Sequence, residues 1–424
     1  MNPMWFRPTS SSSFRTRIPN FLSIGIFLSQ SFLKSPSNLL TMNPHRTPLY
    51  DWHVSHGDVV DFAGWEMPVR FSNIIEEHMA VRDAVGIFDV SHMGRIHVRG
   101  KHAKDFIDLI VPRNVKRMSP DRAGYTYVLN ENGGFKDDVI VTVLDDDHVF
   151  FVCNASNRKK IVNWLLTHLK TIRSVFSDFD VKLQDVTFQS AMIAIQGPAA
   201  PELMKRVFGT APARWRVAHG SFKDYDVLLT GTGYTGEVGG EITFEVEDKD
   251  ELKKVAIEIW KALLEHGKNL AIKPCGLGAR DSLRMEAGYC LYGNDIDEQI
   301  TPKEAGLFFS PFADNEKEWY IGKDALETKD PAQIRIGFIM LEKGIPRHGY
   351  DILNSQGEKI GWVSSGTQSP LLHSGIGMGY VSTDYGNPDT DLLIQIRKKQ
   401  VKAKVAKFPL YNSAKYGVSR QQSP

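Results

Sequence analysis

The sequence predicts an α+β fold that ends in a small all-β C-terminal domain. Short strand-like and helix-like runs alternate irregularly to about Leu326. From about Ala332 the chain becomes short strands separated by Gly, Pro and Asn turns, the pattern of a barrel or sandwich. Composition is the third observation: 42% hydrophobic and 24% charged residues over 424 positions suit a sizeable core spread over roughly two to three domains. That balance excludes collagen-like, coiled-coil and wholly disordered classes. The formal net charge of +1 provides no bulk field for a nucleic acid or a membrane, and neither partner is expected.

The average hides a division. Residues 1–41 contain Arg7, Arg15, Arg17 and Lys34 and no acid, whereas the remaining 383 residues hold 47 bases against 50 acids. The opening segment is therefore +4 and the body −3. Rich in Ser and apolar residues and free of acids, residues 1–41 have the composition of an organelle-targeting presequence; a spurious extension ahead of a true start at Met42 is the competing reading. A secretory signal fits less well, because no Ala precedes Ala63 and no small-x-small cleavage site stands out. The apolar stretch Ile18–Leu33 is interrupted by Ser, Asn, Gly and Gln and is short for a membrane span.

The body begins near Thr47 with a helical-looking segment, Leu49–Gly57. Arg95–Val98 and Tyr125–Leu129 look like strands, and Val139–Leu144 and Val149–Val152 like a pair around the acidic turn Asp145–Asp147. Asn157–Leu169 and Glu251–His266 have helical apolar spacing, the second closed by Gly267. These elements make one α+β region over 47–326, and 332–417 forms the all-β domain. In its last strand Lys402 and Lys404 share one face, and Val401, Ala403 and Val405 the other. The lysines suit either an edge strand guarded against aggregation or a docking surface for an acidic partner.

Gly231-Thr-Gly233-Tyr-Thr-Gly236 matches a dinucleotide fingerprint, but that site needs a helix next, and the following Gly239-Gly240-Glu241-Ile-Thr-Phe-Glu alternates like a strand. A glycine-rich hairpin turn fits better. The alternation places Glu241, Thr243 and Glu245 on one face and Ile242 and Phe244 on the other. Glu241 is either part of a solvated face or a carboxylate that grips the N–H and amino edge of a flat heterocycle. Gly133-Gly134-Phe-Lys-Asp137-Asp138 sets two acids after a turn, where like charges in a cleft push one pKa upward and suit proton transfer; polar turn residues look the same. Arg280 and Arg284 lie four residues apart on one helical face, as an anion clamp or as surface pairs with Asp281 and Glu286. No Walker loop or Gly-x-Ser-x-Gly elbow is present, and Cys153, Cys275 and Cys290 have neither metal spacing nor a disulfide framework. No metal is expected.

Several strings taken together are more specific: Asp61-Phe-Ala-Gly-Trp65-Glu-Met-Pro68, Gly86-Ile-Phe-Asp-Val-Ser-His92-Met93, Gln196-Gly-Pro198, Thr232-Gly-Tyr-Thr-Gly-Glu237, Gly276-Leu-Gly-Ala-Arg-Asp-Ser-Leu-Arg284, Leu291-Tyr-Gly-Asn-Asp295 and Ser365-Gly-Thr-Gln-Ser-Pro370. With the Gly-Gly-x-x-Asp-Asp string they resemble, in order and over about Thr47 to Tyr416, the glycine cleavage system T-protein family of aminomethyltransferases. Lys343-Gly-Ile-Pro-Arg-His-Gly349 and the ending Tyr411-Asn-Ser-Ala-Lys-Tyr-Gly417 resemble its archaeal branch, which favours the Met42 start.

The resemblance implies three domains around a tetrahydrofolate site, two of them intertwined within 47–326. It implies transfer of a one-carbon unit from the aminomethyl-dihydrolipoyl arm of H-protein to tetrahydrofolate as co-substrate, with release of ammonia. Glycine decarboxylase P-protein and dihydrolipoyl dehydrogenase are the further partners implied. By motif position Asp137 is the key carboxylate, Glu241 holds the pterin edge and Arg280 is the ligand-site arginine. Tyr234, Tyr125, Met93 and Asn154 line the folate slot, and Tyr416 is the C-terminal ligand tyrosine. A folate-binding tRNA-modification or iron–sulfur assembly factor of the same fold is the alternative, but Glu286-Ala-Gly-Tyr-Cys290-Leu-Tyr-Gly lacks that group's Lys-Gly-Cys signature. The compartment is the cytoplasm for a Met42 start and the mitochondrial matrix for a genuine presequence.

Overall fold

Period-two alternation builds the first sheet. Along the strand Phe135–Asp145, Val139, Val141 and Val143 point to one side, where they pack with Phe106, Ile107 and Ile110 of helix Ala103–Ile110 and Ile161, Leu165 and Leu169 of helix Arg158–Val175. Five strands make this sheet, in the order Arg122–Leu129, Phe135–Asp145, His148–Cys153, Gly94–Arg99 and Lys182–Asp185. The computed structural model describes residues 44–314 and 316–420, so the presequence or spurious extension expected at 1–41 lies outside the described residues. The helix expected over Asn157–Leu169 continues to Val175 because Ile172 extends the buried stripe.

A second sheet has six strands, in the order Val217–Phe222, Tyr225–Thr230, Gly239–Glu245, Ser190–Gln196, Gly86–Asp89 and Lys273–Pro274. Its outer face, with Ile193, Ile195, Ile242 and Phe244, packs under helices Ala200–Phe208 and Lys249–His266. The longer helix starts where the Asp248 carboxylate accepts bonds from the backbone N–H of Asp250 (3.0 Å) and Glu251 (2.8 Å). The inner faces of the two sheets meet through Phe88, Met192 and Ala194 on one side and Phe150 and Val152 on the other. The result is four layers, helix, sheet, sheet and helix.

Helix Tyr50–His56 is fastened to the second sheet through Asp89. Thr47 Oγ1 donates to Asp89 Oδ2 (2.6 Å), His53 Nε2 lies 2.8 Å from the same oxygen, and Ser91 N–H donates to Oδ1 (2.8 Å). Burial pushes the Asp89 carboxyl up, but these partners outweigh it and bring it down to about 2. A small sheet of His45–Arg46, Trp65–Arg70 and Asp58–Phe62 lies beside this helix.

The C-terminal strands close into a six-stranded barrel, Gln333–Met340, Gly375–Ser382, Lys359–Gln368, Asp351–Leu353, Asp391–Ile396 and Lys399–Ala406, filled by residues such as Ile336, Phe338, Val363 and Ile394. Lys399–Ala406 pairs with Asp391–Ile396 on one side and Gln333–Met340 on the other, so it is no edge strand. The edge-guard reading of its lysines is thereby corrected. Lys402 and Lys404 do point outward, 3.8 Å from Glu342 and 3.5 Å from Asp391. After Ala406 the chain leaves the barrel and returns to helix Leu277–Ala287, where Leu410 N–H donates to Glu286 O (2.8 Å), so the barrel is shorter than the 332–417 expected. Among the described residues no helix is long and apolar enough to cross a membrane.

Candidate functional site

Where the inner faces of the two sheets part, they leave a cavity of about 1010 Å³, which the small sheet, helix Leu277–Ala287 and the barrel also wall. Met93, Tyr125, Asn154, Tyr234, Glu241 and Arg280, nominated from the sequence, all line it. Asp137 and Tyr416 do not.

Strand parity explains the first exception. Asp137 shares the helix-covered face of its strand with Val139 and Val141 and is fully buried, whereas Asp138 faces the cavity. Asp137 accepts bonds from Asn154 N–H (3.0 Å), Asn154 Nδ2 (2.8 Å) and Asn157 Nδ2 (2.6 Å). Asn154 Nδ2 also donates to Asp138 Oδ1 (2.7 Å), and Tyr125 Oη donates to Asp138 Oδ2 (3.3 Å). One amide therefore bridges both acids. Burial raises the Asp137 carboxyl well above the usual range and the Asp138 charge adds to this, against the pull of the two asparagines. Burial also raises Asp138, while its bonds from Asn154 and Tyr125 pull it down. Burial thus favours the protonated form of both acids, and the Asp138 charge further opposes ionisation of Asp137. The cavity-facing carboxylate expected at Asp137 is thus Asp138.

Across the cavity, the hairpin reading of the glycine-rich motif holds: Gly231–Val238 joins strands Tyr225–Thr230 and Gly239–Glu245, which pair antiparallel. Ile242 and Phe244 enter the helix-covered core, which turns Glu241 inward rather than to solvent. Glu241 Oε2 accepts from Thr232 Oγ1 (2.5 Å), itself 2.8 Å from Thr230 Oγ1, and is 8% exposed.

The two arginines of helix Leu277–Ala287 separate in role. Arg284 is consumed by Asp281 (2.8 Å), Asp295 (2.6 Å) and Ser365 Oγ (3.0 Å), which ties the helix to the barrel. Glu286 pairs with Arg82 (2.8 Å) and His78 (3.0 Å) instead. Arg280 stacks 4.8 Å from the centre of the Tyr234 ring, and its buried Nη1 has no partner. Burial lowers its pKa, opposed by the nearby Glu241 charge. A buried guanidinium with an unused donor is a place for a ligand acceptor. The Tyr234 hydroxyl donates to Cys290 O and its ring lies 5.9 Å from that of Tyr289.

Tyr416 sits outside the wall, its ring near the cations of Lys415 and Arg420. The C-terminal residue that does line the cavity is Val418. Sequence reasoning also missed His92, which is buried, lines the cavity and has an unpartnered Nδ1; burial and the Arg280 charge hold it down at about 3, so it is a neutral imidazole. His348, whose Nδ1 lies 2.7 Å from Ser364 O, brings the barrel into the wall. Among the described residues no group of His, Cys, Asp and Glu is arranged to hold a metal ion, and the three cysteines are free and buried. The site offers Asp138 on one wall, with Asp137 buried behind it, and a carboxylate and an unsatisfied guanidinium on the other. Aromatic and thioether surfaces lie between them.

Comparison with known proteins gives a consistent result. Residues 49–310 match the family description "GCVT N-terminal domain", and residues 335–412 match "Glycine cleavage T-protein C-terminal barrel domain". A probable aminomethyltransferase from Pyrococcus horikoshii is 40% identical over 404 residues, covering 89% of this chain and 99% of its own. An aminomethyltransferase from Staphylococcus carnosus is 42% identical over 372 residues, covering 85% and 97%. The crystal structure of glycine cleavage system aminomethyltransferase T from Bartonella henselae superposes with a TM-score of 0.76 at 30% identity, covering 87% of this chain and 98% of that one.

Proposed function

The chain belongs to the glycine cleavage T-protein family and is an aminomethyltransferase of that system, and on this premise we propose that its central cavity binds tetrahydrofolate as co-substrate. The observation that carries the proposal is the unpartnered, buried Arg280 Nη1 beside Glu241, facing Asp138 across a cavity of about 1010 Å³. A flat heterocycle with an N–H and amino edge suits a carboxylate, which accepts two parallel bonds, so Glu241 holds that edge. Thr232 and Thr230 fix the Glu241 rotamer. Tyr125, Tyr234 and Met93 provide the apolar surfaces, and Arg280 takes an acceptor of the substrate.

Tetrahydrofolate would supply two nitrogens that each form one bond to the transferred carbon, while that carbon's bonds to ammonia and to the dihydrolipoyl sulfur of lipoylated H-protein break and the two folate N–H protons leave with the ammonia and the thiol. The protein is left with positioning and proton management. Asp138 faces the reacting atoms and exchanges the proton there. Asp137, joined to it through Asn154, sets the charge of the pair without reaching the cavity. Arg284 and Asp295 hold helix Leu277–Ala287 against the barrel, which keeps Arg280 in place. Glycine decarboxylase and dihydrolipoyl dehydrogenase complete the partner set. No feature favours the tRNA-modification or iron–sulfur assembly alternative.

The test is to combine the purified protein with aminomethyl-loaded H-protein and follow ammonia. Release that depends on tetrahydrofolate is expected. Release at the same rate without it would refute the folate assignment.

A further inference from the structure

The segment that leaves the barrel returns to the cavity loop. Tyr411 Oη donates to Gly236 O (3.3 Å), Val418 N–H donates to the same oxygen (2.9 Å), and Gly417 N–H donates to Glu237 Oε1 (2.8 Å). Arg420 Nη2 donates to Glu237 Oε2 (3.0 Å) and to Arg82 O (2.7 Å). Arg82 reaches Glu237 Oε1 from inside (3.0 Å), stacks 4.5 Å from the Tyr411 ring centre and also holds Thr235 O (2.9 Å). Glu237 is therefore clamped between a core arginine and a C-terminal one. Gly236 has φ +79°, and a Cβ there would lie 2.5 Å from Tyr411 Oη, so loop and segment fit together only with glycine at that place.

The clamp acts on residues that meet the ligand. Glu237 is three residues past Tyr234, which carries Arg280 on its ring, and five past Thr232, which orients Glu241. Val418 itself lines the cavity. We propose that residues 408–420 form a positioning strap for the tetrahydrofolate site, with Arg420 acting through Glu237 to hold the loop that presents Tyr234 and Thr232. This rests on the folate reading above. Arg420 does not line the cavity, so it is a positioning residue. Losing it leaves Glu237 still paired with Arg82 and Gly417 N–H, so the fold survives while the loop gains freedom.

The experiment uses the full chain with Arg420→Met and Arg420→Lys. Tetrahydrofolate affinity is measured by titration calorimetry, KM for tetrahydrofolate and for aminomethyl-loaded H-protein by ammonia release, and Tm without ligand. Arg420→Met is expected to raise Kd and KM for tetrahydrofolate by about tenfold, the scale of one charge-assisted bond. Saturated kcat should stay within about twofold, with an unchanged KM for H-protein and Tm. Arg420→Lys should restore most of the affinity. Unchanged tetrahydrofolate affinity in Arg420→Met, or a loss of affinity matched by a fall in Tm that lysine does not rescue, overturns the strap. Failure of the unmutated protein to bind tetrahydrofolate overturns the folate reading, and the strap with it.

Discussion

Exchanging each acid of the pair separately distinguishes chemistry from support. Asp138→Asn keeps the shape of the side chain, and its amide oxygen still accepts from Asn154 Nδ2, 2.7 Å away in the native protein, so folate affinity should change little. It removes the one carboxylate of the pair that faces the cavity. Positioned acid–base groups contribute about 10²–10⁴ in rate, so kcat should fall by that factor, or about 3–5 kcal/mol in activation free energy. Asp137→Asn behaves differently. Its carboxylate is surrounded by N–H donors at 2.6–3.0 Å, and an amide nitrogen turned toward any of them leaves a donor facing a donor. The cost is about 1–3 kcal/mol of stability, with a smaller effect on turnover. The pH dependence follows from the same geometry. Both carboxyls are raised by burial, so protonation of Asp138 as the pH falls below neutrality should depress kcat, and Asp138→Asn should lack that acid limb. Single-turnover ammonia release from aminomethyl-loaded H-protein, with a thermal melt of each variant, reads both effects. An inactive Asp137→Asn with native Tm beside a fully active Asp138→Asn would refute the assignment.

Arg280→Met should raise the tetrahydrofolate Kd by tenfold or more, about 1.5–3 kcal/mol for a charge-assisted bond, while Tm changes little because Nη1 makes no bond within the protein; calorimetry and melting check the two together. For Asp89, a folded value of about 2 against about 3.9 unfolded means the stabilisation is complete above the unfolded value and disappears as pH falls through the folded one. Asp89→Asn should therefore cost about 2 kcal/mol at pH 7, and the difference in unfolding free energy should close between pH 5 and 2, as followed by urea titration at each pH. Reversing Lys402 and Lys404 to Glu should raise the KM for H-protein at low salt if that outward face docks the carrier; equal values for both proteins would leave the lysines as partners of Glu342 and Asp391 only.

Much of this site is legible from local rules, and its gaps have physical causes. A strand following the Gly231–Gly236 motif is enough to reject a nucleotide site, and alternation alone separates Glu241 from Ile242 and Phe244. The same alternation, applied to Phe135–Asp145, aligns Asp137 with Val139, Val141 and Val143 and frees Asp138; motif position pointed to the wrong neighbour where parity was already informative. Arg284 illustrates what spacing cannot reach, because its strongest partner, Asp295, lies beyond the helix end on a turn. The return of the C-terminal segment is also invisible locally, since it depends on Arg82 and Glu237, separated by 155 residues. His92 lay beside a nominated residue, but nothing in its neighbours signals an unpartnered ring nitrogen.

Closure of the barrel has a consequence in time. Gly337 pairs with Ala406, about seventy residues later, and pairings this far apart carry the loop-closure cost that slows folding. During synthesis the first barrel strand stays without one neighbour until the last has been made. The segment that docks on Gly236 and Glu237 follows that last strand directly, so it is made only after every barrel strand. The loop that presents Tyr234 is therefore fastened by the last part of the chain to be made, and a chain cut before Ala406 would lose the barrel seam and the fastening of that loop in one stroke.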